Sequence, residues 1–288
     1  MMREREAREN GERADLSLKP SWSARRLTVL AAAFLLILIN PLLNYYLQID
    51  FIQGWYQSFG LGSLWFVSPL EGLESLLITK TIYMPALIGM LIPVIVALLL
   101  GRVFCSWICP VSFILELVDR VRRWISRKRF LQNRLIVAKQ VLWFTFIAEL
   151  LVSMVLGAPL FVFLSPPGLV GREIMMLVFF HALAMEGVIL LAVVALELVT
   201  RRLFCRSFCP LGGLLALIGG NRRLMVRFDQ SSCASCTFCS KSCPMGLHPE
   251  RGEGLSPYCW NCGECLDSCR HGALSFRWRD EDEQRKLG

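Results

Sequence analysis

Charged side chains are scarce in this sequence, because only 19% of its 288 residues are Asp, Glu, Lys or Arg while 55% are hydrophobic. It contains no nucleotide-binding, flavin-binding or C-x-x-C-H haem-attachment motif, so the chain is not itself a c-type cytochrome. The lack of a substrate-reducing centre favours a relay protein over a terminal enzyme. No DNA-binding or kinase-like segment supports a redox-sensing regulator.

The hydrophobic residues are concentrated in four long runs, at residues 27–47, 84–104, 135–158 and 174–199. Each is long enough for the roughly 20 apolar residues that cross a bilayer core about 30 Å thick. Four such runs leave too little polar surface to cover a soluble core. The sequence therefore predicts an α-helical integral membrane protein with four transmembrane helices. No small-residue cleavage site closes the first run, which predicts an uncleaved signal anchor.

The positions of Lys and Arg predict the orientation of these spans. Seven precede the first run, one lies in the first connection, seven in the second and one in the third, and five lie in residues 200–223 directly after the fourth run. Cytoplasmic loops carry the excess of positive charge, so we expect both termini in the cytoplasm and the chain in a bacterial inner membrane. Topology explains the net charge of +8 without a nucleic-acid partner. Residues 1–24 alternate Arg and Glu and predict a disordered cytoplasmic tail.

An internal two-fold repeat divides the membrane part, which we expect to cover residues 25–222. The order span, F-x-S-P, span, F-C-x3-C-P occurs twice, with "FVSP" (66–69) and "FLSP" (163–166) in the two outer loops. Each copy holds two spans, so both have the same orientation and are related by an axis along the membrane normal.

The repeat places two cysteine pairs, Cys105/Cys109 and Cys205/Cys209, in equivalent positions at the cytoplasmic surface. The proline after each pair breaks or restarts the helix, so we expect the cysteines at a partly exposed joint. Three roles are open: a further metal or iron–sulfur centre between the halves, a dithiol–disulfide cycle, or packing as small apolar residues. Duplication of the whole pair makes packing alone the weakest of the three.

The C-terminal tail, residues 223–288, holds the other eight cysteines in two C-x2-C-x2-C-x3-C motifs. This is the ligand spacing of bacterial two-cluster ferredoxins, in which the fourth cysteine of each motif binds the other cluster. The tail is therefore predicted to be an α+β ferredoxin-like domain with two [4Fe–4S] clusters. One cluster is assigned to Cys233, Cys236, Cys239 and Cys269, and the other to Cys243, Cys259, Cys262 and Cys265. The spacing does not match zinc sites, and disulfides are disfavoured on a cytoplasmic face.

The sequence as a whole resembles the NapH family over nearly its full length. The resemblance rests on the four spans, the segments "GRVFCSWICP", "LFCRSFCP" and "SPPGLVGR", and the two tail motifs. NapH is the membrane ferredoxin-type subunit associated with periplasmic nitrate reductases, and parts of the pattern also resemble the NosR, MauN and CcoG groups. The resemblance implies a quinol dehydrogenase subunit of nitrate respiration. It would take electrons from menaquinol or ubiquinol and work with a NapG-like periplasmic ferredoxin and a c-type cytochrome or reductase partner.

Quinol oxidation requires a group that accepts protons at membrane depth, and ionisable residues inside spans are functional hypotheses by default. Glu149 in the third span, with Glu186 and His181 in the fourth, are the candidates for such a site. The alternative is that these side chains only form hydrogen bonds between helices.

A second hypothesis belongs to a different class of protein. In the CcoG group the resemblance implies a maturation factor that reduces a metal such as copper for assembly of another enzyme. Cys105, Cys109, Cys205 and Cys209 would then form its metal site, because soft thiolates select Cu(I).

Overall fold

A computed structural model describes residues 21–47, 53–55, 58–61, 64–81, 84–127, 133, 137–159, 165–182 and 185–279, without the side chains of a few of them. The predicted disordered tail, residues 1–24, lies almost entirely outside these residues. Its last three residues do not fit the prediction, because Trp22 already begins the first helix.

The described chain is mostly helical. The first half contains α1 (Trp22–Leu47), α2 (Pro69–Thr79), α3 (Met84–Leu100), α4 (Val103–Trp107) and α5 (Pro110–Ser126). Between α1 and α2 lies an antiparallel sheet of β1 (Gln53–Trp55), β2 (Ser58–Leu61) and β3 (Leu64–Val67). The second half contains α6 (Val141–Leu156), α7 (Pro166–Met175), α8 (Met185–Val199) and α9 (Pro210–Ile218). Two π-helical turns, Met176–Phe180 and Phe204–Phe208, and a 3-10 turn, Gly219–Asn221, complete it.

Four of these helices begin in the same way, with proline as the first helical residue. Ser68 and Ser165 precede α2 and α7, while Cys109 and Cys209 precede α5 and α9. Proline suits this position because its ring fixes a helical φ and its missing N–H would have no partner there. Both repeated sequence motifs are therefore helix-start signals, and the expected break at the F-C-x3-C-P prolines is present.

All four predicted spans have different bounds in the structure. The first run lies within the longer helix α1 (Trp22–Leu47), and the third contains the shorter helix α6 (Val141–Leu156). The run 84–104 ends as a helix at Leu100, because Gly101 adopts a left-handed φ of +73° that stops it. The run 174–199 is not one helix. Its first residues belong to α7 and to the following π-helical turn, which stops at His181 with φ +51°, and α8 begins only at Met185.

Of the described helices, one is long and apolar enough to cross a membrane by length and composition, namely α1. Shorter apolar helices occupy Met84–Leu100, Val141–Leu156, Gly187–Val199 and Pro210–Asn221.

The helix contacts follow the sequence repeat. Under the repeat, helices α1, α2, α3 and α5 of the first half correspond to α6, α7, α8 and α9 of the second half. The contact of α1 with α5 corresponds to the contact of α6 with α9. The contact of α2 with α6 corresponds to the contact of α7 with α1. Similarly, α5 contacts α7 and α8 as α9 contacts α2 and α3. The helix after each S-P motif therefore packs against the opposite half, which interlocks the two copies.

The tail is a small α+β unit. Its strands β4 (Leu224–Phe228) and β5 (Leu274–Trp278) pair antiparallel, with Leu224 opposite Trp278 and Phe228 opposite Leu274. Two short helices, α10 (Phe238–Ser242) and α11 (Glu264–Ser268), contact each other. Single 3-10 turns occupy Pro249–Arg251 and Glu253–Leu255. Buried Met245, Trp260 and Cys262 belong to the same hydrophobic core as the helical body, so the tail and the body form one packed unit.

Candidate iron–sulfur site

The two tail motifs fold into loops of the same shape. In each C-x2-C-x2-C stretch, the residues directly before and directly after the middle cysteine have a left-handed φ. They are Ser235 and Thr237 in the first loop, and Asn261 and Gly263 in the second. Left-handed backbone costs a non-glycine residue about 1–2 kcal/mol, yet three such residues recur at matching positions. The alternation turns successive cysteines toward a common point.

Each loop leads into a short helix that carries the third cysteine, and the fourth cysteine follows that helix. As a result, the fourth cysteine of each motif reaches the other loop. The first tail quartet, Cys233, Cys236, Cys239 and Cys269, lines a cavity with about 370 Å³ of empty space. The second tail quartet, Cys243, Cys259, Cys262 and Cys265, lines one of about 360 Å³. These are the two sets of four that the spacing predicts.

The donor atoms around both cavities fit [4Fe–4S] clusters. Every cysteine in the described part of the chain is a free thiol, and thiolate is the ligand type that such clusters take. Backbone amides donate to sulfur, from Ser235 to Cys233 and from Leu247 to Cys243, each at 3.4 Å. Burial raises the pKa of the Cys262 thiol to about 12, so a bound cation is needed to keep it deprotonated at neutral pH.

A network of buried charges fastens the second tail loop to the helical body. Arg26 of α1 donates to Glu116 of α5 at 2.6 Å and to Glu264 of α11 at 2.7 Å. Arg201 donates to Glu264 at 3.2 Å and to Asp119 at 3.0 Å. Since Glu264 stands between Cys262 and Cys265, this network fixes the loop that carries them.

Glu116 is the centre of the network. Burial opposes its charge, but the guanidinium groups of Arg26, Arg202 and Arg123 outweigh burial and lower the pKa of Glu116 to about 2. Arg202 donates to the same carboxylate oxygen as Arg26, at 3.0 Å. The carboxylate is therefore charged at all physiological pH values.

Aromatic contacts add to the same junction. Trp22 stacks edge-on against Phe276 of β5 and Trp107 of α4, at centroid distances of 4.9 and 6.4 Å. The side chain of Asp267 accepts the amides of Trp22 and Ser23 at 2.9 and 2.7 Å. The first turn of α1 is thus held by the tail.

The repeat quartet, Cys105, Cys109, Cys205 and Cys209, comes together around a third cavity of about 360 Å³. All four side chains are buried, so the expectation of a partly exposed joint is wrong. Burial has two causes: the halves face each other across this cavity, and Pro167 of α7 closes one wall. The second S-P motif was assigned to an outer loop, but its helix thus begins beside these cysteines.

Two arginines accompany the repeat quartet, each three residues before the first cysteine of its pair. Burial raises the pKa of all four thiols, while Arg102 acts in the opposite direction on Cys105 and Cys209. Arg202 does the same for Cys109 and Cys205. Each guanidinium therefore favours the thiolate form of one cysteine in its own half of the repeat and of one cysteine in the other half.

The candidate quinol residues have different positions in the structure. Glu149 lies in the middle of α6 and is half-buried, as expected for a span residue. His181 is exposed at the end of the π-helical turn. Glu186 is the second residue of α8 and not near the middle of a span, and its side chain lies outside the described residues.

Among the buried carboxylates that sequence reasoning missed, two lie on the helices that follow the S-P motifs, Glu74 of α2 and Glu173 of α7. Glu74 accepts a hydrogen bond from Ser153 at 2.9 Å, and Ser153 is one helical turn beyond Glu149. Glu173 lies against Gly187, where an added Cβ would be 2.9 Å from its Oε1 atom. The repeated S-P motif was the signal available to find both.

No group of three or more His, Cys, Asp or Glu side chains among the described residues has the geometry to hold a single metal ion.

Comparison with known proteins agrees with the site. A family model described as "4Fe-4S binding domain" matches residues 83–129 and again 183–227, once in each half of the repeat. The matched segments contain the repeat quartet. No solved structure matches the chain.

Several curated proteins are similar over most of the chain. The methylamine utilization ferredoxin-type protein MauN of Methylorubrum extorquens is 30% identical over 77% of this chain and 74% of its own length. The ferredoxin-type protein NapH of Escherichia coli is 27% identical, over 73% and 75% respectively. NapH of Haemophilus influenzae is 28% identical, over 67% and 68%. The chain therefore belongs to the NapH- and MauN-related family of ferredoxin-type proteins, and its chemistry is iron–sulfur electron transfer.

Proposed function

We propose that this chain oxidises a quinol in a bacterial inner membrane and relays the electrons through two tail [4Fe–4S] clusters toward a periplasmic reductase such as nitrate reductase. The observation that carries the proposal is the arrangement of the two tail quartets. Each quartet lines one cavity, and the second is fixed to a helical body with apolar outer surfaces.

The helical body supports membrane insertion with four spans, although most of its helices are shorter than predicted. Large apolar side chains point outward along α1, α3, α6 and α8. Examples are Leu35, Leu36, Ile39, Ile88, Leu91, Leu151, Val155, Val188 and Leu191. Contiguous exposed apolar surface of this kind marks contact with lipid or another protein.

Helix α5 supports the proposed orientation. Its exposed apolar residues, Val121, Trp124 and Ile125, neighbour Arg120 and Arg123 on the same short helix. A basic amphipathic helix of this type lies in the headgroup region and is attracted to anionic lipid. The tail, which packs on the same end of the body, would then be cytoplasmic.

The chain's own residues would manage protons in quinol oxidation. A quinol gives up two electrons and two protons, and each bound [4Fe–4S] cluster supplies a one-electron centre. Glu149 is the best-placed proton acceptor, because its face of α6 also carries Ser153, the hydrogen-bond partner of Glu74. Glu74 is almost fully buried, and the proposal assigns it as the group that takes the proton on from Glu149. Glu186 of α8 and Glu173 of α7 are the second set of candidates, whereas exposed His181 would serve at the surface.

The proposal is tested with anaerobically purified protein. Reduced-cluster EPR signals should appear when menaquinol is added, and Glu149→Gln and Glu186→Gln should slow that reduction while iron and sulfide contents stay unchanged. Glu253→Gln, which removes a partly exposed ion pair with Lys139 and keeps an oxygen that can accept the His248 amide, is the matched control. Full quinol oxidation in both span variants removes the proposed proton site. A sample that binds no iron removes the proposed function.

A further inference from the structure

The repeat quartet has the features of a cluster site in its own right. Its four buried thiols come in two pairs, one from each half of the repeat, and they converge on one cavity. The other side chains lining that cavity are mainly apolar, among them Phe104, Phe204, Val111 and Leu211. Such a lining excludes water from whatever the sulfur atoms hold.

The ligand set of this cavity matches those of the two tail cavities. Each of the three cavities is lined by four cysteines. The same donor type and number at three places indicate the same kind of occupant.

Arg102 supplies an independent reason for negative charge at the quartet. Its side chain is 1% exposed and makes no ion pair with a carboxylate among the described residues. Its guanidinium donates to the backbone carbonyls of Cys205 at 3.1 Å and Tyr258 at 3.4 Å and interacts with the Cys105 thiol, while Nε has no hydrogen-bond partner. An uncompensated buried charge costs several kcal/mol. Thiolates that hold a cluster would provide the missing negative charge.

Backbone amides also face the sulfur atoms. Cys209 precedes α9, and its Sγ accepts the amide of Gly212 at 3.4 Å. Gly212 cannot be replaced without a shift, because an added Cβ would be 2.6 Å from Nη2 of Arg102. The positive end of the α9 dipole thus points toward the quartet, as the corresponding end of α5 does behind Cys109.

We propose that Cys105, Cys109, Cys205 and Cys209 ligate a third [4Fe–4S] cluster, shared between the two halves of the repeat. Arg102 and Arg202 are the counter-charges of this cluster. The inference deepens the proposed relay function and rests on it, because the new centre would stand between the membrane helices and the tail clusters.

A short bonded route joins the repeat quartet to the second tail quartet. Ser106, the neighbour of Cys105, donates through Oγ to the carbonyl of Trp260 at 2.6 Å. Trp260 follows Cys259 directly in the chain. Covalent bonds and one buried hydrogen bond therefore connect a ligand of the third site to a ligand of the tail, which suits electron transfer between them.

Iron and sulfide analysis of the anaerobically purified full chain, with Mössbauer spectroscopy, tests the proposal. We expect about 12 iron and 12 sulfide atoms per chain, as three [4Fe–4S] clusters require. The double variant Cys105→Ser/Cys205→Ser should retain about two thirds of the iron and both tail EPR signals. Cys236→Ser, which alters only the first tail quartet, is the matched control and should lose a tail signal instead.

The outcomes separate this inference from the proposed function. A wild-type protein with about 8 iron atoms per chain overturns the third cluster and leaves the two-cluster relay intact, and this holds even if the double variant does not fold. Copper bound in place of the missing iron, and lost in the double variant, overturns it in favour of a copper site. A double variant with the full iron content also overturns it.

The role of Arg102 has its own measurement. Arg102→Met should lower the midpoint potential of the third cluster, because a nearby positive charge favours the reduced, more negative state. Arg102→Lys should restore most of that shift at an unchanged iron content. Equal potentials in wild type and Arg102→Met contradict the assignment of Arg102 as a counter-charge.

Discussion

Glu116→Gln is the substitution with the largest expected effect on stability. The glutamine keeps the shape of the side chain but removes the negative charge that Arg26 and Arg202 share at 2.6 and 3.0 Å. The Arg26 and Arg202 side chains are 1% exposed, so water cannot replace the lost partner. Removing one member of a buried ion pair costs about 3–5 kcal/mol.

The pKa of Glu116 gives the same magnitude by another route. It is lowered from 4.5 to about 2, and at about 1.36 kcal/mol per unit this shift corresponds to about 3 kcal/mol. Because the folded-state pKa lies below the unfolded one, this stabilisation is fully present above about pH 4.5. The stabilisation is lost as the pH falls toward 2. Between pH 6 and 8 the carboxylate is fully charged, so the difference in unfolding free energy between wild type and variant should be constant there.

The assay is thermal unfolding of the detergent-solubilised, cluster-loaded protein, followed by tryptophan fluorescence. A loss of about 3 kcal/mol corresponds to a fall in Tm of about 6–12 °C for a chain of this size. Arg120→Gln is the control, because Arg120 contacts the same carboxylate at 3.5 Å but is 42% exposed, and exposed pairs contribute about 0–1 kcal/mol. A Glu116→Gln protein that melts within 2 °C of wild type would refute the argument.

Three further predictions concern the tail. Gly263→Ala should lower the iron content selectively at the second tail quartet, because the φ of Gly263 is +81° and an added Cβ would be 2.5 Å from the Cβ of Trp22. The control is Gly252→Ala, which has the same φ but lies in open space and should keep its iron. Equal iron contents in the two variants would contradict the packing argument. Asp267→Asn should destabilise the protein by about 1 kcal/mol because it weakens the cap on the first turn of α1, and a Tm unchanged in low-salt buffer would contradict this. Ser106→Ala should slow the reduction of the tail clusters by quinol, because the hydrogen bond to Trp260 is lost, while the iron content and the midpoint potentials stay unchanged. Stopped-flow absorbance measures the rate of reduction. An unchanged rate would exclude this route of electron transfer.

The ferredoxin-type tail could be predicted from the sequence because its information is local. Spacing alone grouped Cys269 with the first motif and Cys243 with the second, and the structure places them around those cavities. The prolines after Cys109 and Cys209 likewise predicted breaks that the structure has. Such signals lie within a few residues of the feature they predict.

The buried arginines could not be predicted in the same way. The charge count treats Arg26, Arg201 and Arg202 only as positive charges beside spans, but the structure buries all three and pairs them with carboxylates far away in the chain. Charge counts carry no information on such partners. Glu74 was missed for the same reason, because its burial depends on how α2 packs against α6 in the opposite half.

The contact between Arg26 and Glu264 also constrains how the protein is made. The two residues are 238 positions apart, and at a synthesis rate of about 5–20 residues per second they leave the ribosome about 12–48 s apart. During that interval Arg26 has already been translated while its carboxylate from α11 does not yet exist. A prematurely terminated chain would pair Arg26 with Glu116 alone, so the charge network that fixes the second tail loop is completed only when synthesis is nearly finished.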